Sequence, residues 1–393
     1  MFILFSSNAE RPFQRGILEV LALPEGHPVA FRYQIKYIAP AVSDALKRSA
    51  ARKLLRDQGC RALIIYAEKP TETCSTYQYC PVRFAEITAL RLQGDIVLVE
   101  MTLRECADLT TWENTSASRV AFLRFVRSRP GAIVDDTGQG YFLDLTEDCE
   151  WNLWSEESTE GQIWQSVVDK LAAMPSMTNC LFYRVRGFFY ANKPPLFWRV
   201  FPERIIPPKS SPGLLRYPVP MSAPVDLKLF FYRPSSAVPK TIRATFEIEA
   251  DKEGFSEIPD KRVVLESRYD EISVRLATKR VLDSVLAPVS IRLKDSIPND
   301  VLVSEPLLLC VVRVPRWLRS ALILSLLIAP ILLALTADDI SWLLSLIPAI
   351  TKVLGITDLG HASIRCAVFA KLLGGLIAAT AGYLVFRRLP VSK

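Results

Sequence analysis

Two long apolar runs near the C-terminus constrain this chain more than any other feature. From Ser320 to Ala337 it reads SALILSLLIAPILLALTA, eighteen residues without a charge. From Ala367 to Phe386 it reads AVFAKLLGGLIAATAGYLVF, twenty residues interrupted only by Lys371. As helices rising about 1.5 Å per residue, each spans about 27–30 Å, the thickness of the hydrocarbon core of a bilayer. Buried helices of a globular core seldom run this long without charge. Segment 316–393 is therefore predicted to be a transmembrane helical hairpin with spans at 320–337 and 367–386. Pro330 predicts a kink in the first span, because neighbouring groups in a membrane bundle re-satisfy the carbonyl that proline frees.

The flanking charges orient the hairpin. Arg313, Arg316 and Arg319 precede the first span, and Arg387, Arg388 and Lys393 follow the second, whereas the connection opens with Asp338 and Asp339. The positive-inside rule then places both chain ends in the cytoplasm of a two-span membrane protein, with Trp317 and Trp342 at interfacial depth. The apolar connection 340–356 reads as interfacial or as re-entrant at Pro348. A third crossing would carry Arg387 and Arg388 to the outside. Ala370, Gly374, Ala378 and Gly382 recur every four residues along the second span, a spacing that lines small side chains on one helix face and admits a close neighbour. That neighbour is the first span or a second copy, so a homo-oligomer is expected. Small residues are also simply common in membrane helices. Lys371 is an intramembrane charge of the kind that marks function, though it is near enough to a helix end to snorkel.

The net charge of +7 is mostly a property of this segment. From Arg316 onward there are eight Lys/Arg and three Asp/Glu, leaving 40 basic and 38 acidic residues before it. A balance so even gives no reason to expect a nucleic-acid partner. The partners expected are the lipid bilayer and a protein not identified by the sequence. A predicted helix from about Ser43 to Gln58 places Arg48, Arg52 and Arg56 in one stripe, either a solvated face or a surface for anionic lipid. Arg316, Arg319, Arg387 and Arg388 join them as candidate lipid-facing groups.

Ahead of the hairpin, the chain reads as an α+β, β-rich body of several domains. Residues 1–112 form a small α/β module: alternating stretches at Gly16–Leu23 and Val29–Ile38, the helix, a buried strand at Arg61–Ala67, and a hairpin of Val82–Leu92 and Ile96–Leu103 turning at Gln93-Gly94-Asp95. Residues 113–207 read as a second α+β module or as a continuation of the first. It holds strands at Val120–Val126 and Tyr141–Leu145, and a helix opened by the Thr159/Gln162 capping box and closed by Pro175. The segment Leu181–Tyr190 interleaves aromatics with Arg184 and Arg186. Such a pattern on a strand can stack bases, but Phe189 stands where an RNA-recognition strand needs a small residue, and sheet packing explains it better. A proline-rich linker at 208–224 then leads into residues 225–315, where six strand signals within about 90 residues predict an immunoglobulin-like β-sandwich.

No constellation for catalysis emerges. His27 and His361 are the only histidines and lie in different regions, and Cys74 and Cys80 have no matching pair, so no metal site is predicted. Nucleophile elbows, phosphate loops and dinucleotide fingerprints are missing, and Asp135–Gly140 is a turn rather than a phosphate loop. Glu68-Lys69 after a strand lacks the spacer and upstream acid of a nuclease. No enzyme, cofactor or catalytic residue is therefore expected, and the eight scattered cysteines fit reduced thiols. The order of parts, β-rich domains followed by a two-helix membrane hairpin, resembles the architecture of some bacterial membrane-acting defence effectors, without a shared motif. Two functions fit: a membrane-anchored scaffold that recognises a protein partner at the cytoplasmic face, or a pore-forming effector whose body senses a signal while its hairpin oligomerises.

Overall fold

The computed structural model describes residues 2–6, 11–58, 60–68, 77–109, 143–145, 160–190, 205–211, 214–234, 242–256, 261–265, 268–281, 283–297, 301–313, 328, 368–369, 371–375 and 377. It is a β-rich, sandwich-like body built on three sheets.

The first sheet grows around a parallel pair. Strand β1 (Phe2–Ser6) lies beside β3 (Arg61–Glu68), with Phe2 opposite Ala62 and Ser6 opposite Tyr66. Between them run helix α1 (Arg11–Ala22), strand β2 (Pro28–Gln34) and helices α2 (Pro40–Lys47) and α3 (Ala51–Gln58). β4 (Gln78–Gln93) and β5 (Ile96–Cys106) form a long antiparallel hairpin, and the sheet order is β2-β5-β4-β3-β1. β6 (Leu143–Leu145) closes it antiparallel to β1. Ala62 to Glu68 are all buried, the signature of a strand covered on both faces, and this explains the unbroken apolar run of β3. Gly94 turns the hairpin with φ +62°, in the left-handed region.

Two local expectations change here. Gly16–Leu23, predicted as alternating, is the second half of α1. Over so few residues GILEVLAL satisfies a two-residue and a 3.6-residue period equally. Burial of Gln14, Ile17, Leu18 and Leu21 selects the helix, and Pro12 suits its first turn. The helix predicted across 43–58 is two helices. Ser49 takes φ +55° and stops α2, with the Ala50 amide donating to the Ala45 carbonyl at 2.8 Å.

Helix α4 (Glu160–Ala172) and a 3-10 turn (Pro175–Met177) lead into β7 (Phe182–Tyr190). β7 joins the second sheet, ordered β13-β10-β7, where β10 is Pro224–Tyr232 and β13 is Tyr269–Ala277. The third sheet is ordered β12-β11-β14-β15-β9-β8. Its strands are β8 (Lys209–Ser211), β9 (Leu214–Pro220), β11 (Ile242–Ala250), β12 (Lys261–Leu265), β14 (Val285–Ile297) and β15 (Leu307–Arg313). The second and third sheets meet through aromatic side chains. Phe231 meets Phe246 edge-on at 5.3 Å, Tyr183 meets Phe246 edge-on at 6.1 Å, and Phe188 lies 4.9 Å from Tyr217. Such pairs add about 0.5–1.5 kcal/mol each beyond the area they bury.

The passage 208–224, predicted as a linker, thus contains two strands. In β9, Leu215, Tyr217 and Val219 are buried while Pro218 and Pro220 fall on the alternate positions. β8 reaches only as far as Arg216, so neither proline removes a bond from that pairing. Residues 113–207 divide between sheets, β6 going to the first and β7 to the second.

By contact density the chain forms two units, one comprising Met1–Pro218, Pro224–Ala277 and Ala287–Cys310, the other Val219–Ala223, Thr278–Leu286 and Val311–Lys393. Within the second, the buried Thr278 hydroxyl donates to the Pro220 carbonyl at 2.7 Å and accepts the Ala223 amide at 3.0 Å. Among the described residues no helix is long and apolar enough to cross a membrane. The predicted spans 320–337 and 367–386 lie outside the described residues, apart from Ile328 and helical positions between 368 and 377. So do Val120–Val126 and Asp135–Gly140.

Candidate functional site: a charged cleft on the first sheet

β3, β4 and β5 frame a cleft of about 450 Å³. Its floor is Phe84 and Ala85 on β4, both buried, and its walls are charged. Arg61 opens β3 directly opposite Glu86 in the β3–β4 register, and its guanidinium stands 4.7 Å over the Phe84 ring. From β5, Arg104 donates to the Glu86 carboxylate. That hydrogen bond, with the fields of Glu86, Glu25 and Glu105, holds the Arg104 guanidinium above its ordinary pKa despite slight desolvation. Cys60, half-buried at the rim, is turned toward the Leu55 carbonyl at 3.8 Å.

Backbone geometry brings Glu25 into the wall. Gly26 follows it with φ +82°, its amide donates to the Leu103 carbonyl at 2.8 Å, and the Leu103 amide returns a bond to the His27 carbonyl at 2.8 Å. The loop between α1 and β2 is thereby pinned to the end of β5. Three carboxylates thus face two guanidiniums around an aromatic floor. This lining suits a basic side chain next to an apolar one, and it pairs no nucleophile with a base.

Arg83, adjacent in sequence but pointing to the other side of β4, holds the same region rigid. It is 4% exposed, and it donates to the carbonyls of Val20 at 2.7 Å, Leu23 at 2.6 Å and Arg104 at 2.5 Å. Trp164 Nε1 donates to Leu21 at 3.0 Å. The orphan carbonyls ending α1 are therefore taken up by side chains from β4 and α4. His27 is buried on Tyr217, with Nε2 3.4 Å from the Leu307 carbonyl. Burial, and secondarily the charge of Arg83, lowers its pKa to about 4 against the opposing effect of that hydrogen bond.

At the other end of β3, Glu68 is buried with Tyr66 and Ser176. Tyr66 donates to Glu68 Oε2 at 3.1 Å, Ser176 shares the same oxygen, and the two hydroxyls lie 2.5 Å apart. Gln14 donates to the Ser176 carbonyl at 3.1 Å. Burial raises the pKa of Glu68 against these hydrogen bonds. The cluster ties the 3-10 turn to β3, whose last residue is Glu68.

Of the residues predicted to act, Arg48 caps α2 while Arg52 and Arg56 lie one turn apart on α3, so the three do not share one helix. Arg56 is exposed and 3.6 Å from Asp57. Lys371 is exposed and Gly374 buried on the helical stretch near 372. Ala370, Ala378, Gly382, Arg316, Arg319, Arg387 and Arg388 lie outside the described residues. In the aromatic-basic segment, Phe182, Tyr183, Phe188 and Phe189 are buried, as sheet packing requires. Arg184 lies 5.6 Å from the Trp164 ring and 5.4 Å from that of Phe230, with Glu160 at 3.5 Å. Among the described residues no group of His, Cys, Asp and Glu could hold a metal ion, and the described cysteines 60, 80, 106, 180 and 310 are free thiols.

Sequence reading missed the cleft. Its one accessible signal was the β4–β5 hairpin, which brings Glu86 near Arg104. The pairing of β3 with β4, which adds Arg61, leaves no mark in the sequence. No family model matches this chain, and no curated protein matches it.

Proposed function

We propose that the chain is a membrane-anchored recognition protein whose β-rich body binds a protein partner while its C-terminal hairpin holds it at the bilayer. The observation that carries the recognition half is the cleft: an aromatic floor, an ion pair already formed, and one carboxylate in excess. A partner segment presenting a Lys or Arg beside an apolar side chain complements it. The interleaving of β10 and β13 in one sheet with β11, β12, β14 and β15 in the other fits an immunoglobulin-like arrangement, a framework often used for binding. Anchoring is supported by the two apolar runs and by Val368, Phe369 and Leu372, which are 53%, 66% and 69% exposed on their helical stretch. Apolar side chains so exposed ask for lipid or another helix. The flanking arginines favour a cytoplasmic location for both chain ends under the positive-inside rule.

A photo-crosslinker at Glu86 in the full chain, expressed in its own cells, tests recognition. A discrete adduct that disappears with Glu25→Lys or Glu105→Lys supports the cleft, and an adduct pattern indifferent to both removes it. Alkaline extraction tests the anchor: the full chain should stay with the membrane and a chain ending at Arg313 should be released.

The second reading, a pore-forming effector, is favoured by Gly374, which is buried beside the exposed Lys371 in the row of small residues. It requires that expression of the full chain admits a membrane-impermeant dye and that Gly374→Leu abolishes entry at equal membrane abundance.

A further inference from the structure

We propose that β13 pairs antiparallel with β13 of a second copy, about a two-fold axis through Ser273. Among the described residues β13 ends the three-stranded sheet, bonded to β10 along its full length on one side, from Tyr269 opposite Tyr232 to Ala277 opposite Pro224. Tyr269, Glu271, Ser273, Arg275 and Ala277 are all exposed, and Ile272 is half-exposed between them. An uncovered edge strand is a template for another strand.

The order of charges on this edge chooses the partner. About an axis at Ser273, Glu271 falls opposite Arg275 of the partner subunit, and Arg275 opposite Glu271 of the partner subunit. The contact is isologous, as a two-fold dimer demands. Moving the axis one residue either way sets Glu271 against a serine or an alanine, and no reciprocal ion pair survives. Directly opposed charges of unlike sign stabilise a strand pair, and like charges destabilise it. Both groups have capacity for a further bond. The Arg275 side chain is 67% exposed and uses Nε on Asp226 at 3.1 Å, so its two terminal nitrogens carry further donors. Glu271 accepts Arg186 at 2.8 Å and Lys228 at 3.1 Å, one on each oxygen, and those cations fix the carboxylate in place. A carboxylate offers about four lone-pair sites, so the incoming guanidinium does not displace them.

On the inward side Ile272 meets Val274 of the partner subunit. Asp270 also points inward, and its Oδ2 is buried with no hydrogen-bond partner among the described residues. An inward charge on an edge strand discourages indiscriminate pairing. It leaves the register with two reciprocal ion pairs as the favoured one. The product is a continuous six-stranded sheet across the axis. This inference is independent of the cleft and of its partner.

The test uses the full chain in mild detergent with Ser273→Cys and a short bismaleimide. A covalent dimer should form well above the wild-type background, and Thr88→Cys, exposed on β4, should give none above it. In the Ser273→Cys background, Arg275→Glu alone or Glu271→Lys alone sets like charges opposite each other twice, and the yield should fall about tenfold. Mixing differently tagged Arg275→Glu and Glu271→Lys copies restores opposite charges at both positions, so mixed dimers should recover most of the yield. The intrachain effects of each substitution are the same in both experiments, so recovery reports the interface alone. Failure of Ser273→Cys to crosslink, equal crosslinking at Thr88→Cys, or no recovery on mixing would each overturn the proposal.

Discussion

Replacing Arg83 by Met tests the claim that one buried guanidinium organises the join between α1 and the first sheet. The side chains are similar in length, so the substitution mainly removes three donors. Val20, Leu23 and Arg104 each lose a hydrogen bond of 2.5–2.7 Å from a charged group. Each such bond contributes about 1.5–3 kcal/mol net. Against their sum, about 4.5–9 kcal/mol, stands relief of the several kcal/mol spent desolvating the guanidinium, which leaves a net cost of about 3–5 kcal/mol. We expect a loss in that range, a large part of the roughly 5–15 kcal/mol that holds a domain folded. With a urea slope of about 2–3 kcal/mol/M the midpoint should fall by roughly 1–2 M. Urea unfolding of the full chain in mild detergent, followed by tryptophan fluorescence, is the assay. Trp164 donates to Leu21 at the same helix end and so reports on it directly. Arg83→Lys should lose about half as much, because an ammonium keeps the charge but cannot fork among three carbonyls. A loss below about 1 kcal/mol for Arg83→Met would refute the reasoning, since the carbonyls would then have found other donors.

Three further outcomes follow from buried or strained groups. His27, 3% exposed with a pKa lowered from 6.5 to about 4, leaves the unfolded chain holding the extra proton between those values. Its stabilising effect is therefore complete above pH 6.5 and is lost as pH falls toward 4, on the order of 3 kcal/mol in all, and His27→Gln should flatten the stability profile across that window. Glu68 has the opposite sign: its raised pKa makes the folded state bind the proton more tightly, so its contribution is present at low pH and lost as pH rises through the folded value. Glu68→Gln should accordingly raise the melting temperature at pH 8 more than at pH 4. Gly94→Ala should cost about 1 kcal/mol by chemical denaturation through its φ of +62° alone, as nothing lies within 4 Å of an added Cβ.

The strands of the sandwich were the most legible part of the fold. All six signals between 225 and 315 correspond to β10–β15, because alternation such as Phe246 and Ile248 inward against Glu247 and Glu249 outward has one reading. The β4–β5 hairpin was equally plain, since its turn residue and flanking periods agree. Helix α1 was lost to a short ambiguous window. The break between α2 and α3 depends on Ser49 adopting a conformation for which serine carries no signal. The strands at 209–220 were hidden by prolines, which weigh against a strand until the length of its neighbour β8 is known.

The residues that looked chemical along the chain pack into the sheets, while the cleft had no visible precursor. The aromatics around Arg184 and Arg186 drew attention as a linear pattern, but a strand sends alternate side chains to opposite faces, and a bulge at Lys228/Leu229 shifts their registration. Phe182 and Phe188 were thereby committed to the core, and Arg184 was left to balance Trp164, Phe230 and Glu160. Glu68 ends a strand covered on both faces, so its carboxylate had to find Tyr66 and Ser176 or remain uncompensated. Arg61, Glu86 and Arg104, by contrast, come from three strands and are separated by 25 and 18 positions along the chain. Only the register of β3 on β4 and of β4 on β5, set by three bulges and a glycine turn, makes them neighbours. Functional chemistry assembled across a sheet is thus written in its registers, which a pattern along a single strand does not specify.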